Sequence, residues 1–168
     1  MSYTLPGTTI ECAPSGAETL LGSIFLTGGL VLSQVCQLTG LDQYMVQNWV
    51  RRGFCPPPVA KKYTQNQFCR IALINLLKDS LRIDRVATLI DAASESIGEC
   101  ELYLAFLRFT EAAEAAPSQQ DDALYRLAGD AARKGCGKTV PALVVFYLAA
   151  QSAKLRFRAG LRLADVLS

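Results

Sequence analysis

The stretch LSQVCQLTGLDQYMVQNWVRRGFCPPPVAKK, residues 32–62, decides how this chain folds. Ser33 can cap a short helix that runs to about Leu38 with Val35 and Leu38 facing inward, and Gly40 ends it. Asp42 is placed to cap a second helix, which continues to Arg52. On that helix Val46, Trp49 and Val50 fall on one side at i, i+3 and i+4. Gln43, Gln47 and Arg51 fall on the other, flanked by Tyr44 and Asn48. Gly53 stops it, and Pro56, Pro57 and Pro58 force an extended path towards Lys61-Lys62, as suits the base of a short wing. Helix, glycine turn, polar helix ending in arginines and a basic loop together form the pattern of a winged helix-turn-helix, which docks on DNA.

Charge sharpens that reading. Residues 1–50 contain no Lys or Arg, whereas residues 51–90 carry eight against two Asp/Glu. Residues 91–130 then carry nine acidic side chains against two basic ones, and residues 131–168 reverse the sign again with seven basic against one acidic. The net charge of +2 conceals a basic block over the helix-turn-helix and an acidic block behind it. Arg51, Arg52, Lys61, Lys62 and Tyr63 are the candidates for phosphate contact. Gln43, Tyr44, Gln47 and Asn48 are the candidates for base contact, because Gln and Asn can pair with adenine at two points. Trp49 shares a face with Val46 and belongs to the core rather than to a stacking platform.

On either side of this stretch the expectations are mostly helical. Residues 1–25, rich in Thr, Pro, Gly and Ser, read as an irregular arm. The apolar run Leu20 to Leu32 is too short to span a membrane, has no basic residue ahead of it, and reads as a segment packed on the head. Thr64 and Gln67 form a capping box for a helix from Gln65 to about Ser80, apolar nearly all round and therefore central. Further helices are expected over Ile83 to Ala93, Glu99 to Ala116, Gln120 to Lys134, and from about Pro141 to Leu163. No stretch alternates long enough for a strand outside the wing. The fold class is all-α: a winged helix-turn-helix head at 26–95 with a short β wing, then a helical C-terminal unit at 96–168 for dimerisation or an effector.

Other chemistries fare worse. The chain has no histidine, and its six cysteines are scattered without a C-x-x-C pair, so metal and catalytic-histidine sites are disfavoured. Gly137-Lys138-Thr139 is a fragment of a phosphate loop, but position 132 is Ala132 and the preceding segment reads as helix. Cys36, Cys55 and Cys69 read as packed thiols rather than oxidant sensors. Lys154, Arg158 and Arg162 recur every fourth residue, with Arg156 beside them, as a solvated stripe or a second contact face.

The head resembles that of MerR-type regulators, in which a helix ending in Leu-Thr-Gly leads to a second helix and a closing Arg-x-Gly. Here these are Leu38-Thr39-Gly40 and Arg51-Arg52-Gly53, with Lys62-Tyr63-Thr64 at the wing tyrosine and the next helix cap. A closer likeness is to the bacterial domain-of-unknown-function 1836 family. It rests on LTGGL (26–30), LSQV (32–35), TGL (39–41), QNWVRRG (47–53), PP-x-x-KK-Y (57–63) and QFCRIALIN (67–75), and covers about residues 20–95. The expectation is a cytoplasmic, sequence-specific DNA-binding protein: a transcriptional regulator acting as a homodimer on double-stranded DNA. It is not expected to be an enzyme or to need a cofactor, a metal or a membrane. The alternative is a protein-interaction module that keeps the head's shape without binding DNA.

Overall fold

The computed structural model describes residues 3–118, 120–133 and 137–167. Among them are eight α-helices: α1 (Ala17–Ile24), α2 (Leu32–Thr39), α3 (Gln43–Arg51), α4 (Gln65–Leu77), α5 (Ile83–Ser94), α6 (Gly98–Ala115), α7 (Asp121–Ala132) and α8 (Thr139–Leu167). The mostly helical fold is as expected. Where a short β wing was expected, the described residues form isolated bridges, Leu30 with Tyr63 and Val59 with Lys62, rather than strands. No described helix is long and apolar enough to cross a membrane.

Helix α4 is the hub. Phe68, Cys69, Ile71, Ala72, Leu73, Ile74 and Leu77 are all fully buried, and α4 packs on α2, α5, α6 and α8. A helix apolar on every side has no face to give to water, so it takes the middle. It ends at Leu77, three residues short of the expected Ser80. Lys78 is its cap, and Ser80 instead donates its hydroxyl to the Ala149 carbonyl of α8 at 2.8 Å. Thr64 and Gln67 form the expected capping box at its start. One apolar cluster joins Val46 and Trp49 of α3 to Leu102 and Phe106 of α6 and to Phe146 of α8, so the head and the C-terminal helices share a core.

The N-terminal segment differs most from the sequence reading. Residues 17–24 are helical, and Leu5, Ala17 and Leu21 are fully buried. Residues 3–12 fold back on themselves, with a Thr4–Glu11 bridge outside the expected wing. Gly7 makes the close approach possible. Its φ is +72°, and a Cβ there would lie 2.0 Å from the Ala72 carbonyl oxygen. Scattered small and polar residues hide this packing from a periodicity reading, because each contact is tertiary.

Smaller boundary differences have local causes. Val31, not Ser33, is the cap residue of α2, and its N–H donates to the Gln34 side-chain oxygen at 3.0 Å. Asp42 does occupy the cap position of α3, although its side chain accepts no capping hydrogen bond. Gly40 closes α2 at φ +72°, a left-handed position where a Cβ is costly. Helix α7 ends at Ala132; the expected end at Lys134, like Cys136, lies outside the described residues. Helix α8 starts two residues before Pro141, at Thr139.

Candidate nucleic-acid interface

Helices α2 and α3 meet across the turn at Gly40–Asp42, and the chain then loops back through residues 54–63 to lie beside them. Two polar side chains of α4 hold this loop, and a third holds the end of α2. Gln67 donates to the Pro57 carbonyl at 2.8 Å. Arg70 donates from Nε to the Phe54 carbonyl at 2.6 Å, and from Nη1 to Asp91 at 2.6 Å. Asn75 donates to both the Thr39 and the Gly7 carbonyls at 2.9 Å. Each satisfies a backbone oxygen at the end of a helix or in a turn, where no ladder partner exists. The sequence reading missed these residues. Their signal was present: polar side chains on a helix that is otherwise apolar all round.

The loop closes in a tight hairpin. Val59 and Lys62 exchange two backbone hydrogen bonds, of 3.0 and 2.9 Å, around Ala60 and Lys61. Both central residues have positive φ, +49° and +63°. That is the backbone of a two-residue hairpin turn normally filled by Asn-Gly, and for Ala and Lys it is strained. The Lys61 and Lys62 side chains are exposed at this hairpin.

Between the start of α2, the polar face of α3 and this hairpin runs a groove of about 560 Å³. Val31, Leu32, Ser33, Gln43, Gln47, Val50, Pro58, Lys61 and Tyr63 line it. The structure therefore brings Gln43 and Gln47 together with Lys61 and Tyr63. Tyr44 stands outside the groove at 71% exposure, Asn48 is half-buried, and Arg51 and Lys62 are exposed.

Two candidates sit differently from the sequence expectation. Arg52 turns its guanidinium over the Phe54 ring, 4.8 Å from the centroid, and lines a separate pocket with Lys78 and Arg82. Tyr63 is buried, its backbone paired with Leu30, and only one side of it faces the groove. Burial raises its phenol pKa first, followed by the nearby Cys55 and Cys36, so at neutral pH it can offer a neutral O–H donor. Groove residues that the sequence reading did not single out are Val31, Leu32, Ser33 and Pro58.

The thiols near this site are protonated. Burial pushes Cys55 up to about 12 and also raises Cys36, which lies near Asp42. Neither has the depressed pKa that makes a thiol reactive. Among the described residues no group of His, Cys, Asp or Glu is placed to hold a metal ion.

Residues 29–108 match the family model described as Domain of unknown function (DUF1836). This supports the family likeness drawn from the motifs, over a segment that runs from just before α2 into α6. No curated protein and no solved structure matches the chain.

Proposed function

We propose that the chain is a sequence-specific DNA-binding protein, a transcriptional regulator of the cytoplasm that works as a homodimer with a MerR-like winged helix-turn-helix head. In this reading α3 enters the major groove, the 59–62 hairpin is the wing, and Arg51, Lys61 and Lys62 anchor phosphates. Gln43, Tyr44 and Gln47 face the bases. Arg52, held against Phe54, meets the backbone at the margin of the contact. The observation that carries the reading is the shared groove: base-type amides from α3 and the cation of the hairpin tip open onto one surface. A single head covers few base pairs, and a two-fold pair on half-sites one helical turn apart supplies the rest of the specificity.

One observation favours a second reading. Val31, Leu32, Val50 and Pro58 make much of the groove wall apolar, and Val59 at the hairpin is 71% exposed. A protein-interaction module would use such a wall to bury a partner's apolar side chain. Salt dependence separates the two. If DNA is the partner, Arg51→Ala with Lys62→Ala lowers the slope of log K against log salt by about 1.8, or about 0.9 for each phosphate no longer neutralised. Duplex affinity unchanged by the double substitution rules out the anchoring.

A further inference from the structure

Helix α8 has 29 residues, about 44 Å of helix, and the body of the protein covers only its first half. Ala142, Leu143, Phe146 and Ala150 face the core and are buried. The same stripe continues along the helix as Ala153, Phe157, Leu161 and Ala164, at spacings of three and four residues. There it is largely bare: Ala153 is half-buried, but Phe157 is 69% and Leu161 54% exposed. Leu155, Leu163 and Val166, at 60, 59 and 81%, add a second bare stripe. An isolated surface leucine needs no explanation, but a row that leaves the core and runs on bare as Phe157 and Leu161, with a second apolar row on the opposite side of the helix, marks a docking surface.

The charges select the partner. Residues 151–167 carry Lys154, Arg156, Arg158 and Arg162 against Asp165 alone. Packing two such arms side by side would set cations against cations. The complementary surface is on the chain itself, at the α6–α7 corner, where Glu111, Glu114, Asp121 and Asp122 are exposed. Beside these carboxylates lies a largely apolar groove of about 240 Å³ lined by Ala116, Pro117, Ser118, Ala123, Leu127 and the cationic Arg126. At the root of the arm this attraction is already in use within one chain, where Lys154 pairs with Glu114 at 3.1 Å. Just beyond it Arg156 donates to the Asp79 carbonyl and the Ser80 hydroxyl, and residues 157–167 are exposed.

We propose that the free half of α8 docks on the α6–α7 corner of a second copy of this chain, and that the exchange is reciprocal. Phe157 and Leu161 enter the partner's groove, while Arg158 and Arg162 face the partner's Asp121 and Asp122. Such a contact is isologous and closes as a two-fold dimer. The proposal deepens the dimer of the proposed function. Its test uses no DNA, so its failure is distinct from a failure of the head to bind DNA.

Sedimentation of the full chain tests it. The wild type is expected at twice the chain mass of 18.2 kDa. Phe157→Asp with Leu161→Asp, both at exposed sites, is expected to keep the helical circular dichroism and weaken the dimer about a hundredfold. Arg158→Glu with Arg162→Glu, and separately Asp121→Lys with Asp122→Lys, should each give monomers. Mixing those two variants should restore a dimer, because each arm then meets an opposite corner. A wild type that is monomeric at about 100 µM overturns the proposal, as does one that instead pellets with anionic phosphatidylglycerol vesicles. So does a mixture that stays monomeric. Loss of the dimer by arm reversal alone, with corner reversal silent, also overturns it and points to arm-on-arm pairing.

Discussion

At the scale of the residue, the clearest constraint is Gly7. Its left-handed backbone and the carbonyl oxygen of Ala72 leave no room for a methyl group. Gly7→Ala should destabilise the protein by about 2–4 kcal/mol, combining the left-handed penalty with overpacking. Thermal unfolding measures it; an unchanged midpoint would mean that the arm is not seated on α4. Nothing in the sequence marked Gly7 as different from its neighbours, because its contact is with a residue 65 positions away. Trp49 was legible, since its apolar companion Val46 lies three positions before it on the same helix, and both are buried. Ser33 was misplaced by two positions. A Ser ahead of an apolar run resembles a cap, but the Gln34 side chain reaches the Val31 N–H first and starts the helix earlier. Tyr63 was read as a phosphate-contact candidate at the wing-tyrosine position, and it is 3% exposed with its backbone paired to Leu30.

At the scale of the element, α3 and the 59–62 hairpin owe their placement to α4. Arg70 is 5% exposed and ties the Phe54 carbonyl, just past α3, to Asp91 on α5 and to Glu99 on α6. Arg70→Ala would leave the Phe54 carbonyl unpaired and the Asp91 and Glu99 carboxylates without their cation. The expected cost is about 2–4 kcal/mol, at the lower side of the range for breaking a buried pair because Asp91 is largely open to water. Chemical denaturation measures it. A loss below about 0.5 kcal/mol, the scale of an ordinary surface change, would remove Arg70 from the scaffold. Helices α2, α3, α4 and α5 were legible because their apolar spacing is local, as is the Thr64–Gln67 capping box of α4. The tie between α4 and the loop was not, since periodicity reports which residues are buried and not which carbonyl a buried polar group satisfies. The wing was over-read: proline and glycine placed the turn, while the number of paired residues depended on how closely Leu30 approaches Tyr63.

At the scale of the whole molecule, one core links the head to α6, α7 and α8, so groups buried throughout set its response to pH. Burial raises Cys55 from the ordinary thiol value of 9.0, and Tyr3 from the ordinary phenol value of 10.0, each to about 12. Tyr103 moves in the same direction, again chiefly through burial. These groups hold their protons more firmly folded than unfolded. Their contribution is therefore intact below pH 9, where the unfolded thiol begins to ionise, and declines as pH rises towards 12. Unfolding free energy measured against pH should fall steadily on the alkaline side of 9; a flat profile to pH 11 would mean these groups are solvated. Charge blocks were legible in the sequence at this scale. The protrusion of α8 was not, because its apolar stripe has the same spacing where the body covers it and where nothing does. The central claim remains the convergence of the α3 amides with the hairpin lysines on one DNA-facing surface. Its most direct test is to titrate the isotopically labelled chain with a short duplex at low salt and follow backbone amide resonances. Shifts concentrated at Gln43, Gln47, Arg51, Lys61 and Lys62 are the expected result. Shifts confined to α7 or to the free end of α8, or none at all, would contradict it.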